Sequence, residues 1–143
     1  MSYVEVWIHA VWGTKHREHL LTREVRPTVI SHILQNAKEK QIYIDRINGY
    51  TEHLHCLLAL NADRSVAKTL QLIKGESAHW INKEQVTPLK FEWADEYYAV
   101  SVSQSDLPAV RAYIDNQEEH HKKRTFAEDV EEFMRKYDLS GHG

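Results

Sequence analysis

The chain holds one cysteine, three prolines and five glycines in 143 residues, and each scarcity closes off a class of protein. A lone Cys56 can form neither an intramolecular disulfide nor a multi-cysteine zinc site, which fits a reducing compartment. So few prolines and glycines, with no low-complexity stretch and no internal repeat, leave no linker at which to cut the chain. Residues 1–143 are therefore expected to form a single domain, and an apolar content of 42% is enough to build its core. No apolar run approaches the about eighteen residues of a membrane span, and no basic segment followed by an apolar stretch opens the chain. A cytoplasmic location is the expectation.

An excess of positive charge is also lacking. The net charge of −3 argues against a nucleic-acid partner, because such domains are usually basic on balance. Distribution tempers that argument. Lys15, His16, Arg17, Arg23 and Arg26 gather early, and His120, His121, Lys122, Lys123 and Arg124 form a second cluster, while Glu128, Asp129, Glu131 and Glu132 lie apart from both. A charge run is also commonly nothing more than a solvated face.

Val4 to Trp12 alternates apolar types and reads as a strand. From about Thr22 to Lys40, Val25, Val29, Ile30, Ile33, Leu34 and Ala37 fall at helical spacing, with Pro27 early enough to be tolerated. Ile42 to Ile47 is a β-branched strand closed by Asn48-Gly49, a turn signal, and a strand carrying His53 and His55 follows. Ser65 caps a helix striped by Val66, Leu70, Ile73 and Ile81, and Tyr97 to Ser103 is the fourth strand. Strand, helix, strand, strand, helix, strand suits an α+β fold of ferredoxin-like, RRM-like type: a split βαβ with an antiparallel sheet and its helices on one face. The other face is then left free for the histidines to point into, and the next helix must bring Tyr113 across it or hand it to a partner. A further helix is entered through Ser105-Asp106-Leu107-Pro108, and Thr125 with Glu128 forms a capping box that predicts a final helix from Phe126 to about Tyr137. Ser140 to Gly143 reads as a frayed tail.

Chemistry concentrates in two places. In an extended strand His53, His55, Leu57 and Ala59 share one face and Leu54, Cys56, Leu58 and Leu60 the other, so two imidazoles project together. Tyr113 and Gln117, four residues apart, stack on one side of a helix, where a phenol and an amide oxygen can reach a common point. Together these suggest a metal site beside a nucleophile, although each pair alone also reads as half-exposed strand histidines and a packed helix tyrosine. Glu52 is either a partner orienting His53 or a residue of a solvated turn, and Asn116 and His120 either support Tyr113 or belong to an ordinary polar stripe.

The order of short motifs is more specific than any one of them. His9-Ala10-Val11-Trp12-Gly13-Thr14-Lys15-His16-Arg17, His53-Leu54-His55, Ile73-Lys74-Gly75-Glu76-Ser77 and Ser101-Val102-Ser103-Gln104-Ser105 are followed by Tyr113-Ile114-Asp115-Asn116-Gln117 and His120-His121-Lys122-Lys123-Arg124-Thr125-Phe126. Along nearly the whole chain this resembles the single-tyrosine HUH transposases of small insertion sequences, which move as single-stranded DNA. Trp93-Ala94-Asp95-Glu96-Tyr97, then Ala99-Val100, depart from the family's usual Trp-Gln-x-Gly-Tyr and Ala-Phe, which bears on local DNA contacts and leaves the proposed reaction set intact. The resemblance implies Tyr113 as nucleophile, His53, His55 and Gln117 as ligands of Mg2+ or Mn2+, and a 5′-phosphotyrosine intermediate. Imidazole nitrogens suit manganese well, whereas magnesium prefers oxygen. It further implies single-stranded DNA with a hairpin at each element end, and a homodimer whose tyrosine helix can complete the partner's site. Lys15, Arg17, Lys74, Lys122, Lys123 and Arg124 are the candidate DNA contacts, and Trp80, Trp93, Tyr97 and Tyr98 candidate stacking surfaces for bases.

Rival readings remain. A histidine-triad nucleotide hydrolase needs a third alternating histidine where this chain has Leu57. A non-catalytic ferredoxin-like module that binds single-stranded nucleic acid would not need Tyr113 and Gln117 at that spacing. A domesticated transposase acting on repeated extragenic hairpins is a closer relative of the leading reading.

Overall fold

A computed structural model describes residues 3–136 of the chain. Strands β1 (Trp7–Gly13), β2 (Tyr43–Gly49), β3 (His53–Ala59) and β4 (Tyr98–Val102) form one sheet in the order β2-β3-β1-β4, with every neighbour antiparallel. Helices α1 (Val25–Glu39) and α2 (Val66–Lys83) make the two crossovers, giving the ferredoxin-like α+β fold. Ser65 caps α2 as expected, its hydroxyl accepting the Lys68 amide at 3.0 Å. Both helices lie on the face carrying Ile8, Ala10, Trp12, Leu54, Cys56 and Leu58, against which they bury Val29, Ile33 and Ala37 from α1 and Leu70, Ile73 and Ile81 from α2. Burial there pushes the Cys56 thiol up, so it is an inert core residue.

The opposite face is not vacant. Between the histidines it presents Val11, Leu57, Val100 and Val102, and apolar side chains left in water would forgo about 1.5–3 kcal/mol each. Helix α3 (Leu107–Asp115) covers part of it with Leu107, Val110 and Ile114. Helix α5 (Phe126–Lys136) covers the rest with Phe126, Val130 and Phe133, and the short α4 (Gln117–His121) joins them. The Thr125–Glu128 capping box starts α5: the Thr125 hydroxyl accepts the Glu128 amide, and Glu128 accepts the Thr125 amide, both at 3.1 Å. Tyr137 and the tail from Ser140 lie outside the described residues.

Asn48-Gly49 is not the hairpin turn. Strand β2 runs through Gly49, and the connection falls at residues 50–52. Glycine is needed here for proximity, because a Cβ at position 49 would lie 2.1 Å from the His53 carbonyl oxygen.

Candidate metal centre and tyrosine site

Register places His55 opposite Val11 and His53 opposite Gly13 on β1, with both imidazoles fully buried beneath the C-terminal helices. Each ring is aimed by a neighbour. Glu52 Oε1 takes Nδ1 of His53 at 2.7 Å, and His9 Nε2 meets Nδ1 of His55 at 2.9 Å, so both Nε2 atoms face inward. Gly13 leaves room for the Phe126 ring, which stacks on His53 at 4.2 Å and 3° between planes.

Tyr113 and Gln117 do not share one continuous helix. The chain kinks at Asn116 (φ −101°, ψ 25°), ending α3 and starting α4, yet both side chains still point to the histidines. The Gln117 amide nitrogen donates to the Tyr113 carbonyl at 3.2 Å, which turns Oε1 toward His53 Nε2, also at 3.2 Å. Strand β2 fixes the approach of α3. At its bulge Asp45 takes a two-pronged grip from Arg111, at 2.8 and 2.9 Å, and the Asn48 amide caps the Ile114 carbonyl at 3.0 Å. Arg26, buried on α1, pairs with Glu118 at 2.6 Å and holds α4. Within this single chain the Tyr113 ring lies 5.4 Å from that of His55, centroid to centroid.

Three residues complete the cluster that sequence reading left outside it or in doubt. Asp129 on α5, read from sequence as part of a remote acidic patch, is 1% exposed, with Oδ2 3.0 Å from His55 Nε2 and 3.7 Å from His53 Nε2. Its Oδ1 accepts the Tyr113 hydroxyl and lies 2.8 Å from His120 Nε2. His120 is thus no member of a solvated polar stripe; it also meets the Tyr113 hydroxyl at 3.3 Å. His121 Nε2 sits 3.2 Å from Gln117 Oε1, its ring stacked on Tyr50. The sequence did carry a signal for Asp129: Phe126, Asp129, Val130 and Phe133 fall at i, i+3, i+4, i+7, a carboxylate inside an apolar stripe.

Burial sets the charges. It favours neutral imidazoles, lowering His53 and pushing His55 down to about 4 against the attraction of Glu52 and Asp129. Burial also opposes ionisation of Asp129, but His121, His55 and Tyr113 around it overcome that and hold its carboxyl well below the usual range. The Tyr113 phenol is raised, first by burial and then by donating to that carboxylate.

Such a donor set can hold a metal ion. His53, His55 and Asp129 offer ligand atoms all within 4.8 Å of one another, as do His120, His121 and Asp129. The His55 Nε2–Asp129 Oδ2 and His53 Nε2–Gln117 Oε1 separations of 3.0 and 3.2 Å match the edges of a shell of radius about 2.1 Å, which run from about 3.0 Å (octahedral) to about 3.4 Å (tetrahedral), while His53 Nε2 and Asp129 Oδ2, at 3.7 Å, would have to draw closer around an ion. A neutral His53 that donates Nδ1–H to Glu52 turns its Nε2 lone pair on the Gln117 oxygen. Two acceptors facing one another at that distance call for a cation between them.

Residues 2–117 match the model of the IS200-like transposase family. The chain belongs to that family. Two solved structures share the transposase's fold. One is a presumptive transposase of Deinococcus radiodurans R1, 22% identical with a TM-score of 0.64 over 82% of this chain and 95% of that one. The other is a REP-associated tyrosine transposase bound to a REP hairpin, 17% identical, also at a TM-score of 0.64, over 85% of this chain and 72% of that one. No curated protein sequence matches the transposase. Helix α5 and Asp129 lie beyond the segment matched to the family.

Most basic residues singled out in the transposase have protein partners. Lys15 pairs with Glu92 at 2.9 Å, Lys122 with Glu119 at 2.8 Å and Arg124 with Glu132, while the Lys74 ammonium donates to the Ala94 carbonyl at 2.7 Å. Arg23 and Arg26 both engage Glu118. Arg17 lies over the Phe126 ring at 5.0 Å, and Lys123 is exposed. Of the aromatics, Trp93 is core, Tyr98 packs against the α5 cluster, Trp80 stacks on His32 and Tyr97 is exposed. Among the described residues no helix is long and apolar enough to cross a membrane.

Proposed function

We propose that this transposase cuts and rejoins single-stranded DNA at hairpin-bearing element ends through a covalent 5′-phosphotyrosine link on Tyr113. The observation that carries this reading is the meeting of the Tyr113 ring with His55, centroids 5.4 Å apart, in one buried cluster with His53 and Gln117. A phenol among metal-binding imidazoles is the combination a phosphodiester transesterase needs. Membership of the family supports it, and so does the hairpin on which the REP-associated relative was solved.

In this reading His53, His55, Gln117 and Asp129 hold a divalent ion, Mg2+ or Mn2+, the imidazoles favouring manganese. When bound, the ion polarises the scissile phosphate and stabilises the departing 3′ oxygen. Glu52 and His9 keep the two ligating rings in orientation. The Tyr113 oxygen forms a bond to phosphorus as the bond to the 3′ oxygen breaks. The phenolic proton passes to the pair already in contact with it, Asp129 and His120, and the departing 3′ oxygen takes a proton from water to leave as a hydroxyl. Because the phosphotyrosine conserves the phosphodiester's energy, a second 3′ hydroxyl can reverse the step and rejoin the strand without ATP.

A denaturing gel tests this, with labelled single-stranded DNA from the flanks of the protein's own gene, Mn2+ or EDTA, and Tyr113→Phe alongside. The expected result is an SDS-resistant, metal-dependent adduct that the variant cannot form while still binding DNA. An adduct that survives Tyr113→Phe would sink the assignment, and binding without any adduct would favour a non-catalytic binding module.

A further inference from the structure

Three imidazoles, not two, aim Nε2 at one carboxylate oxygen. Asp129 Oδ2 lies 3.0 Å from Nε2 of His55, 3.6 Å from that of His121 and 3.7 Å from that of His53. Each ring is held from behind at Nδ1: His55 by His9 at 2.9 Å, His121 by the Arg124 carbonyl at 3.0 Å and His53 by Glu52 at 2.7 Å. The other oxygen of the carboxylate, Oδ1, faces Tyr113 and His120. Asp129 thus separates a side that serves the phenol from a side on which His121 joins the two strand histidines.

By sequence His121 belongs to the basic run 120–124, but its side chain is 1% exposed. The kink at Asn116 restarts the helix, so that Gln117 and His121 fall at i and i+4 within α4 and present their polar ends together. Both ring nitrogens of His121 face acceptors. Nδ1 faces the Arg124 carbonyl, and Nε2 faces Gln117 Oε1 at 3.2 Å, the amide being oriented by its donation to the Tyr113 carbonyl. A neutral imidazole carries one N–H, so either tautomer leaves a lone pair against an oxygen on one side. A cation between Nε2 and the oxygens of Gln117 and Asp129 resolves this, with Nδ1–H donating to Arg124. His53, set between Glu52 and the same Gln117 oxygen, has the same need.

We propose that His121 is a third imidazole ligand of the divalent ion, and that the completed donor set of His53, His55, His121, Gln117 and Asp129 selects a transition ion over magnesium. This assignment rests on the metal reading above and adds to it a ligand and a ranking of ions. Five protein donors leave one place on a six-coordinate ion, enough for a phosphate oxygen. Mg2+ prefers oxygen and keeps several waters, so three nitrogens and a single open place fit it poorly. Three imidazoles suit the later first-row ions, Co2+ ahead of Mn2+.

The test titrates the EDTA-stripped protein with Co2+, Mn2+ and Mg2+ by calorimetry and records the visible d–d spectrum of the Co2+ complex. His121→Phe keeps a ring against Tyr50 and removes both nitrogens; His120→Phe, on the Oδ1 side, is the comparison. The native protein is expected to bind Co2+ most tightly, then Mn2+, then Mg2+. His121→Phe should lose about a hundredfold or more in Co2+ affinity, beyond what an orienting residue contributes, and less than about tenfold for Mg2+. Its Co2+ spectrum should change, while that of His120→Phe stays native. Should His121→Phe fail to fold by circular dichroism, His121→Gln, which offers an amide oxygen instead, is expected to narrow the Co2+ over Mg2+ preference by about tenfold or more. If the folded variants keep the native Co2+ spectrum and preference, His121 is no ligand and its ring only pairs with Asp129, while the four-donor centre stands. If the native protein binds neither Co2+ nor Mn2+, the metal reading itself falls and the third imidazole falls with it.

Discussion

Tyr113 and Asp129, sixteen residues apart, are joined by a hydrogen bond in which the phenol donates to Oδ1 of the carboxylate. That bond ties α5 to the proposed nucleophile and keeps the phenol protonated, because an anionic partner opposes a second negative charge beside it. Asp129→Asn removes the charge and keeps the shape. The Tyr113 phenol is then expected to ionise at lower pH than in the native protein, while burial still holds it above an ordinary phenol. Absorbance at about 295 nm, with Tyr113→Phe as the blank, follows this titration; an unchanged curve would show that Asp129 does not control the phenol.

Binding of an ion to the folded state alone stabilises it by mass action, by about 2.7 kcal/mol at a concentration a hundred times Kd. Mn2+ in such excess is expected to raise the melting temperature of the native protein by roughly 10 °C. His53→Ala and His55→Ala should each abolish the rise, and Gln117→Ala should reduce it. A full shift in both histidine variants would remove the ion from this site.

The fold was legible because its signals are local. Alternation around His53 and His55, the Ser65 cap and the Thr125–Glu128 box each report on a few neighbouring residues, and each formed. What stayed hidden depends on residues far apart in sequence. The kink at Asn116 follows from how α3 and α4 are pinned separately, by Asp45 and Asn48 on β2 and by Arg26 on α1. That the tyrosine helix crosses the histidine face was expected; that α5 shares the cover was not, although Val11 and Val100 needed burial as much as the histidines did. Gly49 shows the same limit, since a turn motif and a close strand approach use the same residue.

Acid should weaken the metal-free protein through His55. Its folded-state pKa of about 4 lies below the ordinary 6.5, so between those values the unfolded chain holds a proton that the folded chain refuses. Stability is therefore full above pH 6.5, falls as pH drops toward 4 and levels off below, and the loss attributable to His55 is on the order of 3 kcal/mol. Urea denaturation of the EDTA-treated protein from pH 7 to 4, compared with His55→Gln, isolates this part. Equal slopes in the two proteins would mean that His55 carries its proton when folded.

Gly49 and Gly13 flank the proposed ligand His53 from the two neighbouring strands, and they differ in what an added methyl would strike. At Gly49 the nearest obstacle is main chain, the His53 carbonyl oxygen, with the Leu54 Cδ2 at 2.8 Å and the Leu54 Cα at 2.9 Å behind it, so strand β3 itself would have to move. At Gly13 the nearest obstacle is the edge of the Phe126 ring at 2.8 Å, which can rotate. Gly49→Ala is accordingly expected to cost about 3 kcal/mol or more and to weaken Mn2+ binding beyond what lost stability explains, because it shifts the strand at the residue that carries a ligand. Gly13→Ala should cost about 1–2 kcal/mol and spare most of the affinity, since what it disturbs is the Phe126 ring stacked on His53. Urea melts and calorimetric Mn2+ titrations of the two variants rank them. If Gly13→Ala proved the more damaging in both, the stacked ring rather than the strand would be what positions His53.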